Sequence, residues 1–280
     1  MTIKKNKIKE KIFAILTWGA GILSIVVLLY IIGFILYKGV PYIKPSLFSL
    51  KYTSENVSLM PALISTIIMT LMSLLIAIPF GVFSAVFLTE YAKSGNRFVK
   101  IVRVTTETLS GIPSIVYGLF GMLFFVTFLN WGFSILSGAV TLAIMILPLI
   151  MRSSEEALSA VPDVFREGSF GLGAGKLRTV FKIVLPAAAP GIFAGIILAV
   201  GRVVGETAAL IYTSGTVAQI PDSPFASART LAVHMYSLSG EGLHMGEGYA
   251  TAVVLLVLVI GINALSAFVA KRIGGYGKDK

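Results

Sequence analysis

Two charged residues stand inside a stretch that is otherwise apolar, and they are the residues of this sequence best suited to chemistry. Arg202 and Glu206 separate the charge-free runs Ile183–Gly201 and Thr207–Pro221. On one helix they would lie about 24 and 30 Å beyond Pro186. An Arg deep in a bilayer costs about 2.5–3.5 kcal/mol even on lenient scales, so something must offset it. A planar guanidinium gives two hydrogen bonds at once to an oxyanion, which makes anion recognition the chemistry open to Arg202. Glu206, four residues on, would lower the affinity and keep such a site from becoming a sink. The structural alternative is an internal salt bridge that locks two helices, although Arg before Glu is the weaker order for a helical pair. Gly201 and Gly205 flank the charges and let another helix or an ion come close.

Other chemistry has little to work with. The sequence has no Cys, which excludes disulfides and thiolate ligands. His234 and His244 form no HExxH pattern and read as loop residues without a metal role. Gly171, Gly173 and Gly175 precede Lys176, yet the Walker pattern fails twice: Phe170 stands where its first Gly belongs and Leu177 where Ser or Thr belongs. An intramembrane enzyme with Glu206 as base would lack a second carboxylate, a His in the spans and a metal cluster. A self-sufficient ion-coupled carrier should show inverted repeats, and no convincing repeat is visible.

What must position Arg202 is a membrane. Of 280 residues, 56% are hydrophobic and 13% charged, and the mean hydropathy is +0.90. That charge content is far below the soluble average of about 25%, and it argues against both a soluble enzyme and a disordered chain. A bilayer helix needs about 20 apolar residues. The run Thr108–Met151 is too long for one helix and divides at Asn130-Trp131-Gly132. The reading is an all-α, polytopic membrane protein with six transmembrane helices at 12–37, 62–88, 110–129, 133–151, 187–213 and 249–270. They form one domain over 12–270, between a basic N-terminus (1–11) and a tail (271–280). The first run is about twice as long as a signal-peptide core and no cleavage site precedes Lys38, so a retained anchor is expected.

Lys and Arg set the expected orientation. One side carries Lys4, Lys5, Lys7, Lys9 and Lys11; Lys93, Arg97, Lys100 and Arg103; Arg152, Arg166, Lys176, Arg178 and Lys182; and Lys271, Arg272, Lys278 and Lys280. The other side carries Lys38, Lys44, Lys51 and Arg229. Both termini are therefore expected in the cytoplasm. The net charge of +10 follows from topology and anionic lipid, without nucleic acid.

The segment 152–186 is then a long cytoplasmic loop. Leu177, Val180, Phe181 and Val184 fall at helical spacing, and the three glycines can supply the positive φ of a sharp helix-turn-helix. Within it, Glu167-Gly168-Ser169, Gly173 and Ile183-Val184-Leu185-Pro186 match the spacing E-A-A-x3-G-x9-I-x-L-P throughout, with Gly168 and Ser169 in place of two Ala. The segment resembles the EAA loop of ABC-importer membrane subunits. Gly201-Arg202-Val203-Val204-Gly205-Glu206-Thr207-Ala208 and Ser110-Gly111-Ile112-Pro113-Ser114-Ile115-Val116-Tyr117-Gly118 resemble segments of phosphate-specific (Pst-type) permeases. The outer stretch Thr230–Tyr236 is more similar to their A subunit than to their C subunit. The resemblance covers most of residues 60–272. It implies a type I ABC-importer permease fold and a phosphate pathway lined by Arg202, Glu206, Thr207 and Ser114, with another oxyanion such as sulfate as the alternative. It also implies a coupling helix docked on an ATPase, with Phe165 and Leu172 as knobs, Arg166 and Glu167 as polar rim and Gly173 at the turn. The implied partners are a second (C-type) permease, an ATPase dimer holding ATP and Mg, a phosphate-binding protein and membrane lipid. No cofactor is expected on this chain.

Overall fold

A computed structural model describes residues 2–92 and 95–274. Lys93, Lys278 and Lys280, counted above, lie outside the described residues, as does 275–280 of the tail. The described chain is all helix and turn. Its elements are α1 (Thr2–Gly39), α2 (Met60–Val86), α3 (Arg97–Ser110), α4 (Ser114–Gly121), α5 (Ile135–Ser159), α6 (Asp163–Gly171), α7 (Lys176–Thr179), α8 (Leu185–Val204), α9 (Ala208–Ile211), α10 (Leu231–Glu241) and α11 (Met245–Gly274). Wider π-type turns extend α2 to Tyr91 and α4 to Phe128, and join α7 to α8 through Val180–Val184. Among the described residues, five helices are long and apolar enough to cross a membrane, and the bent pair α3–α4 makes six.

α5 is the central span. Ser134 caps it by accepting from Ser137 N–H, and its buried face runs from Ile135 to Leu158. α2 packs along it where both are thin: a Cβ at Gly81 would meet Ile150, and one at Gly138 would meet Leu210, Ser214 and Met69. Three hydroxyls buried along α2 return to their own helix. Ser65, Thr66 and Thr70 donate to carbonyls one turn back, so none needs water. Met69, Ala77, Leu142, Ile146, Ile150, Ala199, Val203 and Leu210 form the core this builds. α1 stands apart. It meets α11 near its end, where Gly39 lies against the Tyr249 backbone and Phe34 meets the Tyr249 ring edge-on at 5.9 Å. Most of its apolar side chains face outward.

Four expectations change. The third span, expected at 110–129, runs Ser114–Phe128 and does not stand alone. Asn96 caps a separate amphipathic helix, α3, which meets α4 at 101° across Gly111-Ile112-Pro113. Pro113 disfavours a helical conformation in the residue before it, so the chain turns there. The fifth span does not start near 187. It is continuous from Lys176, because the π turn at Val180–Val184 precedes Pro186 and takes up the missing backbone donor. Nor does it continue to 213: α8 stops at Val204. His234, expected in a loop, is fully buried on α10.

Candidate functional site

The height of Arg202 follows from glycine contacts. Gly191 lies against Ala157 and Gly195 against Ser153, which fixes the antiparallel register of α8 on α5. Carried along both helices, that register puts Arg202 level with Ile146, near the middle of α5 and α2. Ala77, Ile146, Ala199 and Val203 share one core cluster, in agreement. α4 reaches the same height from the other direction. Gly121 lies against Thr141 and Thr213, and Gly118 against the Ala209 backbone. This register sets Tyr117 level with Met145 and Ser114, the first residue of α4, level with Pro148. At this height the Tyr117 hydroxyl donates to the Leu109 carbonyl at 2.7 Å.

Between α8 and α9 the helix breaks over Gly205-Glu206-Thr207. Gly205 is a weak helix former, and Glu206 offers the next turn a cap: its Oε1 accepts from Ala209 N–H at 3.1 Å. The carboxylate is 9% exposed and engaged there. Arg202 and Glu206 therefore do not form the ion pair that a continuous helix would allow. Among the described residues Arg202 has no ion-pair partner, and its side chain is half-buried. A Cβ at Gly201 would meet nothing within 4 Å. Arg202 and Ser114 thus lie at nearly one height, where α8 nears its end and α4 begins, with Thr207 in the break that follows Glu206. There, a guanidinium and hydroxyls can replace part of the hydration shell of an anion.

The second region lies at the end of the bundle that carries α6. Gly173, with φ +82°, ends α6 in the left-handed region that glycine tolerates. Of the three glycines it alone needs positive φ. Phe165 is 54% and Leu172 92% exposed, and Glu167 faces outward beside them. Arg166 does not stand at the rim with them. Its Nη2 donates to Glu90 Oε1 at 2.6 Å and its Nε to Glu90 Oε2 at 3.3 Å. Nη1 meets the Val161 carbonyl at 2.7 Å and Asp163 Oδ1 at 3.1 Å, and Nη2 also meets the Leu158 carbonyl at 3.0 Å. Hydrogen bonding to Glu90 holds the Arg166 pKa above its already high value. One side chain thus ties the end of α5, the start of α6 and the turn after α2. The sequence could not show this, because Glu90 is 76 residues away. Ser169, where the EAA pattern has Ala, shares a buried 2.8 Å hydrogen bond with Thr179 and joins α6 to α7.

The sequence model of the binding-protein-dependent transport system inner membrane component matches residues 77–275. A probable ABC transporter permease protein of Bacillus subtilis (YqgI) is 38% identical over 210 residues, covering 69% of this chain and 71% of that protein. The phosphate transport system permease protein PstA 2 of Mycobacterium bovis is 31% identical over 276 residues, covering 94% and 91%. Among solved structures, a bacterial ABC transporter involved in the import of alginate superposes with a TM-score of 0.65, covering 95% of this chain and 99% of that one at 16% identity. At that identity the superposition speaks for the fold alone.

Proposed function

The chain belongs to the family of binding-protein-dependent transport system inner membrane components, and from that premise we propose that it is the membrane-spanning subunit through which an ATP-driven importer moves inorganic phosphate into the cell. It is a permease subunit of the inner membrane. ATP hydrolysis belongs to a separate ATPase subunit, where ATP and Mg would bind. The observation that carries the reading is Arg202: a half-buried guanidinium at mid-height of the bundle, with no ion-pair partner among the described residues and beside a broken helix. A structural arginine at that depth would be paired. One that serves a passing oxyanion has to leave its donors free. The relatives named as phosphate permeases supply the choice of oxyanion.

The rest of the reading follows the geometry. The excess of Lys and Arg puts α6 on the cytoplasmic side. Phe165 and Leu172 then enter a groove of the ATPase while Gly173 sets the turn, and Arg166 and Glu90 pass the motion of α6 to α2 as a rigid body. A second, C-type permease covers Gly201 and the outward face of α4, where Ile115, Val116, Leu119 and Phe120 are each at least 40% exposed. A phosphate-binding protein delivers substrate to the outer segments 38–60 and 214–248. The test is ATP-dependent uptake of labelled phosphate against labelled sulfate by proteoliposomes holding this chain, a second permease, the ATPase and the binding protein. Phosphate uptake that vanishes when this chain is omitted is the expected result. Equal or preferential sulfate uptake would assign the chain to another oxyanion.

A further inference from the structure

A second buried arginine lies at the opposite end of the bundle from α6. Arg229 precedes α10 and is 6% exposed, and His234, one turn into α10, is 0% exposed. Both lean on Tyr52. The Arg229 Cζ is 4.8 Å from its ring centroid, and the imidazole meets the ring edge-on at 6.2 Å. The start of α10 is anchored without these side chains. Thr66 Oγ1 accepts from Leu231 N–H at 2.8 Å, and Arg229 N–H donates to the Val217 carbonyl at 2.9 Å. Yet Arg229 Nε and Nη2 are buried without a hydrogen-bond partner among the described residues, and so is one ring nitrogen of His234, the other facing the Val57 carbonyl.

Nε and Nη2 are one edge of the guanidinium, the pair that meets two oxygens of an oxyanion side-on. The same molecule shows what that edge requires when buried. Arg166 presents it to Glu90, with both nitrogens engaged. Arg229 presents it to no carboxylate among the described residues, and a contact with an aromatic face offsets only part of the cost of burying a charge. The neighbouring His234 stays neutral: burial, then the charge of Arg229, lowers its pKa to about 3, although the Val57 carbonyl stands close enough to favour its protonated form. A neutral imidazole offers one N–H donor and one lone pair. A ligand for this pair must accept from Arg229 and can donate to His234. Hydrogen phosphate does both at neutral pH, whereas sulfate has no proton to give. A docking protein's carboxylate would have to reach nitrogens that lie beneath this chain's own surface, which a small ion does more easily.

We infer that the Nε–Nη2 edge of Arg229, with His234 beside it, binds one inorganic hydrogen phosphate ion at a site distinct from Arg202. Only the choice of anion rests on the phosphate-importer reading. The test uses the full chain co-purified with its partner subunits, without the binding protein, and compares thermal midpoints in phosphate and in sulfate at pH 7 and equal ionic strength. The Arg202→Gln protein serves as reference, so that binding at Arg202 does not contribute. In it, phosphate at about a hundred times its half-saturating level should raise the midpoint by about 5 °C, and sulfate should not. Adding Arg229→Met should remove the rise; this variant keeps a similar stem and deletes a buried charge, so folding is expected. If it does not accumulate, Arg229→Lys keeps the charge, loses the fork and should weaken phosphate at least about tenfold. An undiminished rise in the Arg229 variants, no rise in the reference, or an equal rise with sulfate would each overturn the inference. Phosphate uptake that continues without any such rise would sink this site alone, whereas absent phosphate uptake would sink the importer reading.

Discussion

Arg166 and Arg202 are both partly buried arginines beside a glycine-bearing turn, and the fold treats them in opposite ways. Arg166 satisfies its guanidinium inside the chain, with Glu90 held side-on and three more acceptors around it. Arg202 sits deeper in the bundle, and its nearest carboxylate in sequence, Glu206, is occupied in capping α9. On the proposed function, the two arrangements suit different tasks. A joint that carries force between α6 and α2 gains from donors that are all engaged. A site that must take up and release an ion needs donors left available.

The comparison is broken most directly at Arg166. Arg166→Leu leaves the Glu90 carboxylate, 8% exposed, without its partner, and should cost about 3–5 kcal/mol. Low protein levels in membranes and a lowered thermal midpoint are expected, with much of the loss recovered by Arg166→Leu plus Glu90→Leu. The matching change Arg202→Gln should move the midpoint by no more than about 0.5 kcal/mol equivalent. A large destabilisation there would mean that Arg202 is also a structural lock.

A smaller effect is expected at the seam beside Arg202. A Cβ at Gly118 would lie 2.8 Å from the Ala209 backbone, so Gly118→Ala must push α4 away from the break, at about 1–3 kcal/mol, with loss of uptake. Gly201→Ala meets nothing within this chain and should leave its stability alone. If uptake falls in that variant while the midpoint holds, the second subunit packs against Gly201.

Gly173→Val sharpens the other region. Space is not the obstacle, since a Cβ there meets nothing; the obstacle is a β-branched residue at φ +82°, worth about 1–3 kcal/mol locally. Normal protein levels are expected with the ATPase uncoupled or lost from the complex, read as ATP hydrolysis without uptake. Coupled transport at the wild-type rate would remove the docking role of α6.

A further effect concerns acidity. The folded pKa of His234, about 3, lies below the ordinary value of 6.5, so the unfolded chain binds more protons between these limits. Stability is full above about pH 6.5 and falls as the pH drops toward 3, by at most about 1.4 kcal/mol per unit. The thermal midpoint should decline from pH 7 to pH 5, and His234→Asn should flatten that slope.

The sequence was most legible where one physical rule acted alone. Long charge-free runs placed α1, α2, α5 and α11 within a few residues or turns, and the turn at Asn130-Trp131-Gly132 lies where expected, with Asn130 and Gly132 at positive φ. It was less legible where two rules competed. Pro186 reads as a helix start, but a π turn absorbs it. The apolar run Thr207–Pro221 reads as more helix, but Gly205 and the capping carboxylate of Glu206 break the chain first. Long-range partners left no local trace. Nothing around Arg166 points to Glu90, and nothing around Arg229 or His234 points to Tyr52.

If Arg202 serves the passing anion rather than the fold, the double variant Arg202→Gln with Glu206→Gln should separate the two roles. Gln at 206 keeps a carbonyl oxygen for Ala209 N–H, so the break survives while both charges are gone. ATP-dependent phosphate uptake should be measured in proteoliposomes together with the amount of assembled complex. Normal assembly with uptake lost is the predicted result. Full phosphate uptake at an unchanged protein level would contradict the account and leave Arg202 a structural residue.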